Sequence, residues 1–231
     1  MGPSKRRVDK AGSVLRAAAE GGAFDEGAVV EARDIAERFR VAHSPTLDLS
    51  ALELDTLTVD LNAWREIGRR LKRLDTIAGK LVREPSLRLS RMRDIAGCRL
   101  TVPSLENLLE ARDRVTSGMS GEVLRVVDYV EQPRSSGYRG VHIIARYDGL
   151  LAEMQIRTQL MHRWAQLSEG MQDLHERDQP LPENLEIARW LRDYAEALAH
   201  RDKGETIPLT LERRVRTMPT QVADALISKG R

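Results

Sequence analysis

DYVEQPRSSGYRGVHIIARYDGLLAEMQIRT, residues 128–158, is the stretch that decides the fold prediction. Near its centre Asp148-Gly149 forms a hairpin signal, because Asp-Gly readily takes the positive φ values of a tight two-residue turn. Closing the chain at this turn pairs Val141 with Ile156, and the remaining residues of both arms follow in register. The sequence therefore predicts two antiparallel strands joined by a short turn.

The predicted pairing sorts the side chains of this hairpin onto two faces. One face is apolar, because Ile143 lies opposite Met154. The other face collects the polar side chains of His142, Glu153, Gln155 and Arg157. A polar face is typical of a solvated antiparallel sheet, and it is also what a binding surface requires. The spacing alone leaves both interpretations open.

The remaining chain predicts an α+β fold, with a mixed sheet of four to five strands flanked by helices. The predicted helices cover residues 8–20, 26–42, 62–74, 75–83, 104–116, 159–175 and 183–200, and two short ones lie within 207–228. The predicted strands before the hairpin are 95–102 and 123–130. Asp75 is the expected N-cap of its helix, Ser44-Pro45 is expected to stop the second helix, and residues 47–61 are ambiguous. We assign 1–61 and 176–231 to helical extensions and 62–175 to the core.

The composition excludes several classes of protein. The chain has 231 residues, of which 41% are hydrophobic, and its net charge of +2 is no general signature of polyanion binding. Its single cysteine, Cys98, excludes an internal disulfide, fits a reducing compartment and is expected to be a buried apolar residue. No apolar run approaches the roughly 20 residues that span a bilayer, and no secretory leader pattern opens the sequence. We therefore expect a cytoplasmic protein without a membrane partner.

Ten basic side chains cluster in the middle of the sequence, opposed by Asp75, Glu84 and Asp94 alone. They are Arg69, Arg70, Lys72, Arg73, Lys80, Arg83, Arg88, Arg91, Arg93 and Arg99. The run fits either a solvated helix face or a cradle for polyphosphate. No phosphate-binding glycine loop of the GxxxxGK[ST] or GxGxxG type is present, so side chains would have to supply the positive charge.

Asp94 stands out among these arginines. It fits an ordinary ion pair, or, together with Glu153 on a neighbouring strand, a magnesium site, because Mg²⁺ takes one or two carboxylates and shares the phosphates of a substrate. Asp94 and Arg99 are five residues apart, so a regular strand would point them to opposite faces. Either Asp94 precedes the strand or Gly97 marks a bulge.

Four motifs together, in the order RLKRLDTIAGKL, RMRDIAGCRL, SSGYRGVH and AEMQIRT, resemble the synthetase domain of RelA/SpoT-type alarmone enzymes. The resemblance covers residues 63–174 and extends to the small alarmone synthetases. It implies transfer of the β,γ-pyrophosphate of ATP to the 3′-hydroxyl of GDP or GTP, with Mg²⁺ as cofactor, to give ppGpp or pppGpp and AMP.

The resemblance also implies roles for individual residues. The ATP-binding residues would be Arg70, Lys72, Lys80 and Arg99. The catalytic and metal-binding residues would be Asp94 and Glu153. The acceptor-binding residues would be Tyr138, whose ring would stack on guanine, and His142, Gln155 and Arg157.

Two departures from the family pattern keep other functions open. No histidine is followed by aspartate, so we expect a synthetase without the hydrolase of long family members. The segment MHRWAQLSEGMQD lacks the EHxxxYK-like continuation of many small synthetases, which puts the acceptor in question. The alternatives are a toxin that pyrophosphorylates the 3′ CCA end of tRNA and a non-catalytic nucleotide-binding module. Some small relatives form tetramers, so the resemblance leaves a homo-oligomer open.

Overall fold

The computed structural model describes residues 3–22, 25–61, 63–175 and 186–219. Its centre is a mixed five-stranded sheet in the order β1-β2-β5-β4-β3. The strands are β1 (Glu66–Leu71), β2 (Ala96–Val102), β3 (Glu122–Asp128), β4 (Val141–Tyr147) and β5 (Leu150–Thr158). Strands β2 and β5 are parallel, and the other neighbouring pairs are antiparallel. The predicted α+β class and mixed sheet are confirmed.

The hairpin has the predicted register. Val141 lies opposite Ile156, and the pairing continues without interruption to the turn. Asp148 and Gly149 take φ values of 46° and 82°, as a tight turn of this kind requires. The apolar and polar faces of β4 and β5 are therefore those that the alternation predicts.

Helices surround this sheet. They are α1 (Lys5–Ala19), α2 (Glu26–Val41), α3 (Ser44–Thr56), α4 (Leu74–Arg83), α5 (Leu105–Gly118), α6 (Gln159–His175), α7 (Glu186–Asp202) and α8 (Leu209–Arg216), with a short 3₁₀ turn at Leu89–Arg91. Helix α6 has the predicted bounds, and most of the others differ from the prediction by a few residues. The predicted start of α7 at 183 and the helical pattern after Pro219 lie outside the described residues.

The prediction of a helix over residues 62–74 is wrong, because residues 66–71 form the edge strand β1. This strand pairs antiparallel with β2, and the pairing outweighs the helical preference of its basic side chains. The N-cap prediction for Asp75 is also wrong. Arg73 occupies the extended N-cap position of α4, and Asp75 lies in the first turn, where a carboxylate is favourable near the helix dipole.

Most of the ambiguous segment that follows α2, residues 47–56, is helical. Helix α2 ends at Val41 as Ser44-Pro45 predicts, but the same proline lies in the first turn of α3, where its missing N–H costs no hydrogen bond. Helix α3 places Leu47 and Leu54 in the main core. Helix α3, which belongs to the N-terminal region, therefore packs in the same apolar core as the sheet.

Three apolar clusters hold the elements together. The main cluster lies on the apolar face of the sheet, where α3 and α5 cover buried residues such as Leu100 and Ile156. A second cluster joins α1 and α2 to α4 around Ile77. A third joins α6 to α7 around Trp164. Within the described ranges, no helix is long and apolar enough to cross a membrane.

Cys98 belongs to the main cluster, as predicted. Burial raises the pKa of its thiol to about 11, so the residue stays protonated at neutral pH. Such a thiol packs as a small apolar side chain and is a poor nucleophile.

Candidate nucleotide site on the polar sheet face

The sheet register brings the predicted polar residues together on the side opposite the main core. Strand β2 places Arg99 beside Gln155 of β5, and β4 places His142 on the other side of Gln155. Strand β2 begins at Ala96, and its pairing with β1 and β5 runs without a shift through Gly97. Asp94 therefore precedes the strand, and the alternative of a bulge at Gly97 does not apply.

Asp94 forms a charge cluster with two lysines from different elements, which we call the Asp94 cluster (Asp94, Lys72 and Lys80). The Nζ atoms of Lys72 and Lys80 both lie 3.0 Å from Asp94 Oδ2. Burial alone would raise the pKa of Asp94, but the two ammonium groups outweigh that effect and lower it below its ordinary value. The carboxylate is therefore ionised at neutral pH.

One oxygen of this carboxylate is not used by the protein. Asp94 Oδ1 is buried and has no hydrogen-bond partner among the described residues. Because leaving a buried charged acceptor unsatisfied is costly, this atom is placed to receive a ligand. Asp94 is also close enough to Glu153 for its charge to raise the pKa of that carboxyl, although hydrogen bonds from His142 and Gln155 lower this pKa by more.

The two carboxylates fit a magnesium ion. Mg²⁺ typically binds one or two protein carboxylates and completes its shell with water and substrate phosphates. No group of three or more His, Cys, Asp or Glu side chains able to hold a metal occurs in the part of the chain that the structure describes. Two carboxylates are thus the protein ligands that this face could offer to a cation.

Beside this cluster, five side chains form a closed hydrogen-bond circuit, which we call the polar ring (Tyr138, His142, Glu153, Gln155 and Arg157). His142 Nδ1 lies 3.0 Å from Glu153 Oε1, and Gln155 Nε2 donates to Glu153 Oε2 at 2.9 Å. Arg157 donates from Nη2 to Gln155 Oε1 and from Nε to the Tyr138 hydroxyl oxygen at 3.2 Å. The hydroxyl of Tyr138 and His142 Nε2 close the circuit.

The chemistry of these groups assigns a direction to every hydrogen bond in the polar ring when the His142 imidazole carries one proton. A carboxylate only accepts, so His142 Nδ1 carries the proton and donates to Glu153. In the neutral ring His142 Nε2 then accepts from the Tyr138 hydroxyl, whose oxygen accepts from Arg157. Both branches start at Arg157 and end at Glu153. With His142 neutral, each donor of the circuit has one acceptor.

The polar ring also determines the charge state of Glu153. Burial would raise the pKa of Glu153, but the hydrogen bonds that its carboxylate accepts from His142 and Gln155 lower it below its ordinary value. Two of the roughly four lone-pair positions of the carboxylate are used by His142 and Gln155. The others remain able to accept a cation or a substrate hydroxyl.

Two guanidinium groups approach the ring of Tyr138. Arg157 Cζ is 5.0 Å and Arg134 Cζ is 5.4 Å from its centroid, both within cation–π range. Tyr129 approaches Tyr138 edge-on, with centroids 5.7 Å apart, and Arg134 donates to the Tyr129 hydroxyl at 2.9 Å. Sequence reasoning missed Tyr129 and Arg134, although both lie in the stretch quoted at the outset.

Arg99 lies at the other side of the polar face, against a glycine. A Cβ atom added at Gly68 would lie 2.9 Å from Arg99 Nη2. The guanidinium can therefore pack against this position because glycine has no side chain. Arg99 Nε is buried without a hydrogen-bond partner among the described residues. Burial lowers the pKa of Arg99, and the nearby charges of Arg157 and Arg70 lower it further.

His162 on α6 is a second residue that sequence reasoning did not assign. Its Nδ1 is buried without a hydrogen-bond partner in the described ranges. Burial lowers the pKa of His162, and the charges of Arg99 and Arg157 add to this, so the imidazole is neutral at pH 7. The segment MHRWAQLSEGMQD, which departs from the family pattern, could have drawn attention to this histidine. Only the fold shows that the histidine lies near Arg99 and Arg157.

The predicted basic run divides into different environments. Lys72 and Lys80 lie on Asp94, and Arg70 lies close enough to Arg99 to affect its pKa. Arg69 instead bonds to Asp48 on α3 at 2.6 Å, on the opposite side of β1. Arg69 therefore belongs to an ordinary surface ion pair.

The polar face gathers carboxylates, lysines and arginines, a composition that suits phosphate groups and a cation, and comparison with known proteins shows what the chain resembles. The family described as "Region found in RelA / SpoT proteins" matches residues 69–173. This part of the chain, which is less than half of its length, is therefore similar to the region that RelA and SpoT proteins share.

Individual relatives show how far the similarity extends. An uncharacterized protein of Mycobacterium tuberculosis is 34% identical over 110 residues, which is 47% of this chain and 40% of that protein. GTP pyrophosphokinase YwaC of Bacillus subtilis is 28% identical over 141 residues, covering 53% of this chain and 67% of the relative. The chain thus spans less than half the length of the mycobacterial relative.

Solved structures share the fold. Small alarmone synthetase 1 from Bacillus subtilis, in a crystal structure with its product pppGpp, superposes with a TM-score of 0.63 at 22% identity, covering 73% of this chain and 93% of that one. Small alarmone synthetase 2 from the same organism superposes with a TM-score of 0.62 at 21% identity, covering 78% and 98% of the two chains. At these identities the likeness describes the fold alone.

Proposed function

We propose that this protein is a Mg²⁺-dependent (p)ppGpp synthetase, which transfers the β,γ-pyrophosphate of ATP to the 3′-hydroxyl of GDP or GTP. The observation that carries the proposal is the pair of ionised carboxylates on one polar face. Asp94 has a free buried oxygen among the described residues, and Glu153 ends the polar ring. The order of the four motifs and the name of the Bacillus relative, GTP pyrophosphokinase, support the same reaction.

The Asp94 cluster and its neighbours would bind the donor. Lys72 and Lys80 supply point charges for phosphate oxygens, and the guanidinium groups of Arg70 and Arg99 add planar donors. Asp94 and Glu153 would hold the Mg²⁺, which supplies positive charge to the transferring pyrophosphoryl group. The two lysines would exchange part of their contact with Asp94 for contact with the phosphates.

The polar ring would bind and align the acceptor. Tyr138 offers an aromatic face for a base, and Arg157, His142 and Gln155 keep Glu153 in one orientation. Because the pKa of Glu153 is lowered, this carboxylate is a weak base that accepts a hydrogen bond from the 3′-hydroxyl before transfer. Positioning and charge neutralisation then supply most of the acceleration.

The bond changes in this proposal are simple. The 3′-oxygen of the acceptor forms a bond to the β-phosphorus of ATP, while the bond from that phosphorus to the oxygen shared with the α-phosphate breaks. AMP leaves with the electron pair of the broken bond. The hydroxyl proton passes to Glu153 and then to solvent.

The test is incubation of the purified chain with ATP and Mg²⁺ plus GDP, GTP or bulk tRNA, with products separated by ion-exchange chromatography. The proposal expects AMP together with ppGpp or pppGpp. The absence of any product on GDP and GTP at every salt concentration would overturn it. Product on none of the three acceptors would favour a nucleotide-binding module.

One observation favours tRNA as a second candidate acceptor. Five arginines along the predicted basic run are exposed and form no ion pair within the described residues. They are Arg70, Arg73, Arg88, Arg91 and Arg93. A polyanionic acceptor that contacts several of them would lose activity steeply as salt rises, through counterion release, whereas a mononucleotide would show a shallower dependence. The same assay at low and physiological salt separates the two acceptors.

A further inference from the structure

Helix α1 lies outside the matched RelA/SpoT region and contacts the chain that carries Asp94. We call residues 84–95 the connector, because they join the end of α4 to the start of β2. The connector contains one short 3₁₀ turn, Leu89–Arg91, and no other regular element. Its placement therefore depends on the surface against which it packs.

Arg16 of α1 ties the end of α4 to this connector. Its Nε donates to the carbonyl oxygen of Leu81 at 2.7 Å, and its Nη2 donates to the carbonyl oxygen of Leu87 at 2.6 Å. Leu81 lies in the last turn of α4, where carbonyl groups have no partner within the helix. The guanidinium is half-buried, so these charge-assisted bonds are better shielded from water than those on an open surface.

Two further contacts of α1 fix the middle of the connector. Asp9 Oδ1 accepts a hydrogen bond from the backbone N–H of Ser90 at 3.0 Å. A Cβ atom added at Gly12 would lie 2.8 Å from the Cβ of Leu89, which is buried to 1% exposure. Residues 9, 12 and 16 are spaced along one face of the helix, so a single face of α1 contacts the connector at three points.

This contact controls the geometry of the Asp94 cluster. Lys80 precedes Leu81, to which Arg16 bonds, and Met92, which is buried to 1% exposure, lies two residues before Asp94. A shift of the connector would therefore move the Asp94 carboxylate relative to the Lys80 ammonium, which lies 3.0 Å away. Displacements of about 1 Å at such a site can cost on the order of 100-fold in rate.

We propose that α1 positions the Asp94 cluster, which would bind the donor nucleotide. Arg16 is its main positioning residue, and Asp9 and Gly12 support the same contact. The inference rests on the proposed function for the identity of the donor, ATP with Mg²⁺. It adds that the affinity for this donor is set by a helix that the family match does not include.

The test compares Arg16→Met with Arg7→Met. Methionine keeps an unbranched side chain at position 16 and removes both donors. Arg7 lies on the same helix, and its side chain is 59% exposed and pairs with an exposed Glu31, so it is the matched control. Calorimetric binding of Mg²⁺ with a non-hydrolysable ATP analogue, without acceptor, is measured beside steady-state KM values for ATP and GDP.

Arg16→Met should weaken analogue binding and raise the half-saturating Mg²⁺ concentration by about 3- to 30-fold. This is somewhat less than the roughly 10- to 100-fold effect of residues that bond directly to metal ligands, because Arg16 acts through the backbone. The KM for GDP should stay within about twofold, and Arg7→Met should match the parent chain in every measurement. Equal changes in ATP and GDP parameters, or unchanged analogue binding in folded Arg16→Met, would overturn the positioning role.

Arg16→Lys and Gly12→Ala keep the proposal testable if Arg16→Met does not fold. Lysine retains one donor, so it should recover part of the lost affinity. Alanine at Gly12 should displace Leu89 and weaken analogue binding without removing any hydrogen bond. No recovery by lysine together with no effect of alanine would contradict the proposal. Because binding is measured without turnover, a parent chain that binds the analogue but makes no (p)ppGpp refutes the proposed function and not the positioning role.

Discussion

The two halves of the polar face are built in opposite ways. What we propose as the donor half, formed by the Asp94 cluster, draws its side chains from separate segments of the chain and leaves Asp94 Oδ1 without a partner among the described residues. What we propose as the acceptor half, formed by the polar ring, comes from one hairpin and the loop before it, and its hydrogen bonds close on themselves. The donor half needs a ligand to satisfy it, and the acceptor half is satisfied before a ligand arrives.

This difference suggests a division of roles. An incomplete set of charges binds a cation and phosphates strongly, because those ligands satisfy groups that are already desolvated. A completed hydrogen-bond circuit instead holds side chains in one geometry, which favours alignment of an acceptor. Glu153 lies where the halves meet, since its oxygens end the circuit and the charge of Asp94 raises its pKa.

The largest expected effect is therefore that of Glu153→Gln, which changes both halves at once. Glutamine has nearly the same volume but removes the charge at the cation, so turnover should fall by about 100-fold or more. The melting temperature should change little. Steady-state turnover as a function of Mg²⁺ checks this, and retention of more than a tenth of the parent turnover with normal Mg²⁺ dependence would remove Glu153 from the mechanism.

Next in size is Arg99→Ala, which tests whether the halves are separate. Arg99 is expected on the donor side, so ATP binding should weaken by about 10- to 150-fold, because charge-assisted hydrogen bonds contribute roughly 1.5–3 kcal/mol. Acceptor binding should weaken much less. Titrations of each nucleotide alone provide the measurement. Unchanged ATP affinity with lost GDP affinity would mean that the two pockets are assigned in reverse.

The third effect concerns the acceptor half alone. Tyr138→Ala should lower acceptor affinity by roughly 5- to 150-fold, because stacking of a base on an aromatic ring contributes about 1–3 kcal/mol. Tyr138→Phe keeps the ring and should cost much less. Removal of the hydroxyl in Tyr138→Phe breaks the hydrogen-bond circuit between Arg157 and His142. We therefore expect this variant to lose about 2- to 10-fold in acceptor affinity. Equal losses for both variants would contradict stacking as the main contribution.

The smallest effect should come from Arg69→Ala. The Arg69–Asp48 pair is exposed and lies on the other side of β1, so its contribution to stability should be about 0–1 kcal/mol and its contribution to catalysis negligible. Kinetics and thermal unfolding of this variant provide the control for the other three. A tenfold loss of ATP affinity would show that the donor half extends beyond the polar face.

The same contrast explains what the sequence could predict. The polar ring follows from period-two alternation and one Asp-Gly turn, so the pairing of His142 with Gln155 is readable from local sequence. The Asp94 cluster depends on β1, whose basic sequence lacks clear strand alternation and pairs only because β2 lies beside it. Contacts among β1, α4 and the connector are non-local, and no local pattern encodes them.

Individual residues show the same limit. Tyr129, Arg134 and His162 are visible in the sequence, but their proximity to Tyr138 or Arg99 arises from packing of a loop and of α6 onto the sheet. Arg16 donates hydrogen bonds to backbone carbonyl groups. Because every residue has such a group, the side chains of the accepting residues do not indicate the contact in the sequence. Sequence reasoning therefore named polar residues that the fold brings together, and it missed the residues that support them.

The most direct measurement of the central claim, that the donor half is an incomplete site completed by a cation and ATP, is a crystal structure with Mn²⁺ and a non-hydrolysable ATP analogue. The anomalous signal of Mn²⁺ locates the ion. The account predicts an ion bound to Asp94 Oδ1 at about 2.1 Å, the distance typical of Mg²⁺ and a carboxylate, with the phosphates against Lys72 and Lys80. An ion bound elsewhere, with Asp94 Oδ1 still without a ligand, would contradict it.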